Sequence, residues 1–113
     1  MDCLFCRIVS GEVPSTPVLE RDTIYAFRDI APVAPVHVLI VPRAHIDDAR
    51  DVTGEDGGLV AEMFDAAGEV ARAEGVADSG YRLIFNVGPD AGQSVLHLHM
   101  HLVGGRPLGS VAH

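Results

Sequence analysis

The 113-residue chain contains no tryptophan, only two cysteines and no long apolar run. A membrane-spanning helix needs ~20 apolar residues, so we expect no contact with a membrane. The first residues lack the basic and then apolar order of a signal peptide, and we therefore expect a cytoplasmic protein. Cys3 and Cys6 are too few for a disulfide framework, and in a reducing compartment they are expected to be thiols or metal ligands.

Basic residues are also scarce, since 8 Lys and Arg stand against 16 Asp and Glu, which gives a formal net charge of −8. This balance argues against a nonspecific binder of nucleic acid, and we expect no nucleic-acid partner. A phosphate ligand is compatible with it, because a pocket can be locally positive on an acidic protein. With 48% hydrophobic residues, no repeat and no linker, residues 1–113 are expected to form a single globular domain.

Segments with strand-like patterns lie on both sides of one helical segment. Two-residue alternation and runs of β-branched residues predict the strands, and the prolines of residues 31–35 predict a loop between two of them. The expected strands lie near Val18–Glu20 and over residues 23–30, 36–42, 81–87 and 95–103.

One long helix is predicted to begin after Thr53, a good N-cap, and to end at Gly75. Apolar residues recur along it at the 3.6-residue period and form one face, which consists of Leu59, Val60, Met63, Phe64, Ala67, Val70 and Ala71. A shorter helix is expected over residues 3–11. The fold class is therefore α+β: an antiparallel sheet with one long helix packed on one face, and a short N-terminal helix.

Three histidines alternate with apolar residues near the end of the chain: His97, His99 and His101. On a strand these rings share one face, while Leu96, Leu98, Met100 and Leu102 share the other and can pack against the helix. Three interpretations are open: a half-buried strand with a polar outer face, a metal site, or a site for an anion. The neighbouring residues favour the anion, since Gly92 lets backbone N–H groups approach a ligand and Ser94 offers a hydroxyl donor.

The segment HLHMHLV, residues 97–103, fits the alternating signature of the histidine triad (HIT) superfamily. The chain resembles the Hint branch, the histidine triad nucleotide-binding proteins, in its bacterial type with a C-x-x-C motif. The similarity extends to LFCRIVSGEVP, AFRDIAPVAPVHVLIVPRAH and RLIFNVGPDAGQSVLHLHMHLVGGR, and so to nearly the whole chain. The resemblance implies a HIT-like α+β fold, a homodimer, and a purine nucleoside monophosphate or its phosphoramidate as ligand.

The resemblance also implies nucleotidyl transfer at the α-phosphorus, followed by hydrolysis. His99 would attack as nucleophile, His101 would donate to a phosphate oxygen, and Ser94 would help to protonate a departing amine. His37 would belong to the histidine network that sets tautomers, although from the residues alone it is equally a satisfied histidine of a half-buried strand.

Further residues would bind the nucleotide if the resemblance holds. Asp29 would accept hydrogen bonds from the ribose hydroxyls, although aspartate is also common in turns such as the one that follows it. Asn86, Gly92 and Gln93 would line the phosphate loop with Ser94. The apolar slot for the base would consist of Leu4, Phe5, Ile8, Phe27 and Ile30.

Cys3 and Cys6 have three interpretations: a redox pair, two buried thiols, or metal ligands. Many bacterial HIT proteins pair this motif with the histidine of P-[KR]-x-H, which is His45 here, and with the first triad histidine, His97. The resemblance therefore implies a structural zinc with two sulfur and two nitrogen ligands, which leaves His99 and His101 free for chemistry.

The C-terminal segment, RPLGSVAH, is short and has no tryptophan, whereas in some Hint proteins the C-terminal tail contributes to leaving-group selection, often across the dimer. His113 is expected to take no part in the site. We expect an enzyme that hydrolyses nucleoside phosphoramidates or aminoacyl-adenylates, because binding alone needs no nucleophile. The alternatives are a dinucleoside polyphosphate hydrolase, which Ser94 and GGR disfavour, and a non-catalytic nucleotide-binding scaffold.

Overall fold

The computed structural model describes residues 3–111, so His113 lies outside the described residues. Two α-helices and five strands follow one another along the chain, with short 3₁₀ turns between some of them. In chain order they are α1 (Leu4–Val9), β1 (Pro17–Glu20), β2 (Ile24–Arg28), β3 (Val36–Pro42), α2 (Gly57–Ala73), β4 (Tyr81–Ile84) and β5 (Met100–Gly104). Among the described residues, neither helix is long and apolar enough to cross a membrane.

The five strands form one sheet in the order β1-β2-β3-β5-β4, and every neighbouring pair is antiparallel. β3 lies at the centre, and all of its residues are buried. The α+β prediction is confirmed, with α2 as the long helix and α1 as the short N-terminal one.

Alternation along the strands sends side chains into two separate apolar clusters. The α2 side of the sheet holds the larger cluster, which includes Ile24, Ala26, Val38, Ile40, Met63, Val70, Met100 and Leu102. The other side holds a smaller cluster built with α1, which consists of Phe5, Ile8, Tyr25, Phe27, Leu39 and Val41. His37 alternates with Val36 and Val38 of the first cluster, and His101 is paired with Leu39 of the second, so both histidines point to this second side.

The signals for α2 are confirmed at both ends. Thr53 and Asp56 form a reciprocal capping box around a single 3₁₀ turn that leads into the helix, and Gly75 adopts a left-handed φ of +75° after it. The predicted apolar face of α2 is wrong at Phe64, which is 50% exposed. The buried stripe includes Ala66 and centres on Met63, so the large Phe64 ring lies at the stripe's edge and extends into solvent.

The predicted strand over residues 95–103 is too long, because β5 begins only at Met100. Its pairing with β3 ends at Ile40, two residues before Pro42, which has no N–H to donate. The Leu98 N–H instead donates to the Ile46 carbonyl at 2.6 Å. The chain before Met100 therefore leaves the sheet.

Two related expectations fail for the same reason. Leu96 is 58% exposed rather than packed against the helix, while Leu98, Met100 and Leu102 are buried as predicted. β4 ends at Ile84 rather than at residue 87, because Ile84 pairs with His101 and β5 offers only one further residue.

Candidate active site and metal centre

The three alternating histidines divide between two clusters at the edge where β5 begins. His101 lies in β5, whereas His97 and His99 lie in the irregular segment before it, so the expected single strand face is wrong. The rings of His99 and His101 are nevertheless neighbours, with centroids 5.1 Å apart, and His37 is 5.2 Å from His101. The His97 ring instead lies against the His45 ring, and the centroids of these two rings are 4.9 Å apart.

His99 is held in one tautomer by the main chain. Its Nδ1 lies 2.6 Å from the His97 carbonyl oxygen, which can only accept, so Nδ1 carries the proton. The Phe5 ring packs edge-on against the imidazole with centroids 5.0 Å apart, and the residue is only 6% exposed. In the neutral ring Nε2 therefore has a free lone pair, which is the form that a nucleophile or a base requires.

A chain of two hydrogen bonds orients His101. The Val33 N–H donates to His37 Nδ1 at 3.2 Å, so the proton of His37 is on Nε2. His37 Nε2 lies 2.9 Å from His101 Nδ1 and donates to it, which leaves the proton of His101 on its own Nε2. His101 thus presents an N–H donor beside the lone pair of His99.

His101 is a neutral donor at pH 7. Burial, and then the neighbouring His99 and His37, lower the pKa of His101 to about 4. Burial also lowers the pKa of His97. At pH 7 the His97 and His101 rings are therefore neutral.

The lowered pKa of His101 makes stability depend on pH. The unfolded chain takes up this proton near pH 6.5 and the folded chain only near pH 4, so stability is lost as the pH falls between these values. We expect His101 to account for a loss on the order of 3 kcal/mol by pH 4. Urea unfolding from pH 7.5 to 4.5 measures this, and His101→Asn should flatten the dependence. An equally steep dependence in the variant would contradict it.

The loop between β4 and β5 is shaped by two of the predicted binding residues. Gln93 accepts from the Gly88 N–H at 2.8 Å and donates to the Val95 carbonyl at 3.1 Å, while Asn86 donates to the Ala91 carbonyl at 2.9 Å. Gly92 adopts a left-handed φ of +78°, which favours glycine. Ser94 follows with an exposed side chain, on the wall of a 560 Å³ cavity that Leu4 and His45 also line.

Asp29 lies beside the histidine relay. One carboxylate oxygen accepts from the Ala31 N–H at 2.8 Å, and the other lies 3.4 Å from His37 Nε2. The turn interpretation of this aspartate is therefore confirmed, and the same carboxylate lies at the site.

The predicted apolar slot is only partly assembled. Phe5, Ile8 and Phe27 are buried together in the second cluster, next to His99. Leu4 is half-exposed, and Ile30 is 99% exposed on the loop after β2, so the structure does not bring it against the others.

The four predicted metal ligands converge. The donor atoms of Cys3, Cys6, His45 and His97 all lie within 4.8 Å of one another. Cys3 Sγ is 3.2 Å from His97 Nδ1, Cys6 Sγ is 3.4 Å from His45 Nδ1, and the two Nδ1 atoms are 3.2 Å apart. Bond lengths of about 2.3 Å to sulfur and 2.0–2.1 Å to nitrogen imply similar separations around a tetrahedral ion.

Proton positions support a cation at this cluster. His97 Nε2 lies 2.8 Å from the Pro42 carbonyl and His45 Nε2 lies 2.6 Å from an Asp47 oxygen, so both rings carry their protons on Nε2. Their Nδ1 lone pairs then face each other without a proton between them. Burial and Cys3 raise the pKa of the Cys6 thiol to about 11, so a bound cation would have to displace its proton. The cluster is compatible with a metal site.

Sequence reasoning missed the groups that orient these ligands. Asp47 and the Pro42 carbonyl fix the two metal-cluster histidines, and Val33 fixes His37. Asp47 follows His45 by two residues, which is a usable signal for a carboxylate partner, whereas backbone donors and acceptors leave no trace in a sequence. Asp48, 3% exposed and paired with Arg50 at 2.6 Å, was also missed.

Comparisons with known proteins agree with this geometry. A family model described as the HIT domain matches residues 10–108. The purine nucleoside phosphoramidase of Escherichia coli K12 is 45% identical over 108 residues, which cover 96% of this chain and 91% of that protein. The crystal structure of a HIT family hydrolase from Legionella pneumophila matches with a TM-score of 0.94 and 49% identity, over 96% of both chains. A histidine triad protein from Clostridium difficile matches with a TM-score of 0.95 and 41% identity, over 99% of this chain and 97% of that one.

Proposed function

The chain belongs to the HIT domain family, and from this premise we propose that it hydrolyses purine nucleoside phosphoramidates or aminoacyl-adenylates. The observation that carries the proposal is the pairing of a free Nε2 lone pair on His99 with an Nε2–H donor on His101. A binding site alone would not need a nucleophile with its proton fixed on the far nitrogen. The similarity to a purine nucleoside phosphoramidase supports the same reaction.

The proposed reaction has two steps. His99 Nε2 attacks the α-phosphorus, the P–N bond to the amine breaks, and the amine leaves with a solvent proton that the Ser94 hydroxyl relays. Water then attacks the phosphorus, the P–N bond to His99 breaks, and the water proton returns to solvent as the nucleoside monophosphate is released. His101 donates its N–H to a non-bridging oxygen in both steps, and His37 maintains that donor.

The nucleotide would lie along the second side of the sheet. Asp29 would accept from the ribose hydroxyls, and Phe5, Ile8 and Phe27 would form the floor under the base, with the half-exposed Leu4 and the exposed Ile30 closing over it. Asn86, Gly92 and Gln93 would shape the loop that presents Ser94 to the phosphate.

Asp29→Ala should weaken AMP binding more than deoxy-AMP binding. Each hydrogen bond to a charged group contributes ~1.5–3 kcal/mol, so we expect AMP to lose about tenfold or more in affinity. The 2′-deoxy ligand already lacks one contact, so the two ligands should bind the variant almost alike. Calorimetric titration of both ligands measures this.

Two further variants separate ribose binding from folding. Asp29→Asn keeps an oxygen for the Ala31 N–H and should still lose the preference for AMP, whereas Asp78→Ala, an exposed acid elsewhere, should change nothing. Equal losses for AMP and deoxy-AMP in Asp29→Ala would overturn the ribose assignment.

We also propose that the cation of the Cys3, Cys6, His45 and His97 cluster is a structural zinc. Two thiolates and two imidazoles at tetrahedral spacing suit zinc, which would tie α1 to the segment before β5.

The protein we propose is a single HIT domain over residues 1–113, cytoplasmic, homodimeric, and without nucleic-acid or membrane partners. The acidic charge supports the absence of a nucleic-acid partner, and the single five-stranded sheet supports a single domain.

Steady-state hydrolysis of adenosine 5′-phosphoramidate tests the proposed activity. The purified protein should release AMP and ammonia, and it should cleave diadenosine polyphosphates much more slowly. Preferred cleavage of the diadenosine polyphosphate would favour the alternative hydrolase. Tight AMP binding with no hydrolysis of either compound would favour a nucleotide-binding scaffold.

A further inference from the structure

The loop between β2 and β3 controls the His37 ring. Residues 30–33 are all exposed, so their side chains do not hold the loop in the core. The Val33 N–H is nevertheless the donor that keeps His37 Nδ1 unprotonated. The position of this one N–H therefore affects which nitrogen of His101 presents a proton.

Arg106 holds Val33 from outside the loop. Its Nη2 donates to the Val33 carbonyl at 2.8 Å, and its Nη1 donates to the Pro107 carbonyl at 3.0 Å, which braces the guanidinium. Arg106 lies two residues after the last residue of β5 and so belongs to the same segment as His101. One segment thus carries both the donor histidine and the side chain that fixes the start of its relay.

Gly105 brings the two segments into direct contact. It adopts a left-handed φ of +94°, and a Cβ at this position would lie 2.9 Å from Pro35 Cβ. The backbone after β5 therefore packs directly on the loop, with no side chain between them. This close approach places the Arg106 guanidinium at a fixed distance from Val33.

We propose that Arg106 is a positioning residue that keeps His101 in its Nε2–H form by holding Val33 on His37. When Val33 moves away, the His37 ring is free to turn its Nε2–H toward Asp29 Oδ2, which lies 3.4 Å away, and His101 Nδ1 loses its donor. His101 then populates both tautomers, of which only one offers an N–H to a phosphate oxygen. The effect on turnover rests on the proposed function, whereas the effect on the tautomer does not.

Side-chain nitrogen chemical shifts of the histidines test the tautomer directly. In the wild type, His101 should give the shifts of a protonated Nε2 and an unprotonated Nδ1 at pH 7. In Arg106→Ala, the two nitrogens should move toward averaged values, and Arg106→Lys, which keeps one donor, should restore most of the wild-type pattern. The matched control is Arg72→Ala, which removes an exposed arginine of α2 and should leave the shifts unchanged.

Kinetics on the same variants show whether the tautomer matters for turnover. In Arg106→Ala, kcat should fall roughly tenfold, less than for loss of the donor itself, with KM changed less than twofold. The midpoint of thermal unfolding should stay near that of Arg72→Ala. Wild-type histidine shifts in Arg106→Ala would overturn the proposal. Altered shifts with no hydrolysis even by the wild-type protein would leave the positioning role supported and count against the proposed function alone.

Discussion

His99→Ala is expected to lower kcat/KM for adenosine 5′-phosphoramidate by about 10⁴-fold or more, because removal of a nucleophile leaves only binding and electrostatic stabilisation. AMP should still bind within about tenfold, since the ring removed contributes the reacting nitrogen and not the main contacts to base or ribose. Release of AMP from adenosine 5′-phosphoramidate and calorimetric titration of AMP, on the same preparation, measure the two effects.

A second variant separates chemistry from packing. His99 packs against Phe5, so alanine leaves a gap beside the second cluster, whereas His99→Gln fills more of it and cannot form the same intermediate. Both variants should be inactive, and His99→Gln should unfold closer to the wild-type temperature. A His99→Gln variant that turns over at the wild-type rate would contradict the assigned nucleophile.

Removal of the proposed zinc is expected to have the largest effect on stability. The purified protein should contain about one zinc per chain, and Cys6→Ser should reduce this content and lower the free energy of unfolding by about 3 kcal/mol or more. The reason is that the two Nδ1 lone pairs of His45 and His97, 3.2 Å apart, lose the cation between them. Elemental analysis and urea unfolding, with and without chelator, test this.

Cobalt provides a spectroscopic check of the same site. A tetrahedral ion bound by two thiolates and two imidazoles should give intense visible absorption with wild-type protein and much less with Cys6→Ser. Arg7→Ala, on the same helix but not at the cluster, is the matched control. A metal-free protein, prepared without chelator and with both thiols reactive, would contradict the zinc assignment.

The helices and most of the strands could be predicted because they depend on local patterns. Alternation in residues 23–30 predicted β2, the β-branched and apolar run of residues 36–42 predicted β3, and Thr53 and Gly75 predicted the limits of α2. The motif resemblance predicted that Cys3 and Cys6 would meet His45 and His97, which are distant in sequence.

The remaining features depend on tertiary structure. The pairing of β5 with β3 stops close to Pro42, which is a residue of β3. No pattern within residues 95–103 therefore marks Met100 as the first paired residue of β5. Because the pairing ends at Met100, His97 lies outside the sheet and its Nε2 contacts the Pro42 carbonyl. The three histidines of the triad are therefore divided between two clusters. The relay from Val33 through His37 depends on a backbone N–H, which every residue except proline possesses.

If His99 is the nucleophile, turnover passes through a covalent nucleotidyl-histidine, and this intermediate can be trapped. Wild-type protein mixed with a fluorogenic adenosine phosphoramidate should release a burst of about one leaving group per site before steady turnover. Acid quenching within the burst, followed by mass spectrometry of the peptides, should find one adenylyl group on His99. Steady turnover without a burst and with no adenylylated peptide, or with the adenylyl group on His101, would contradict the account.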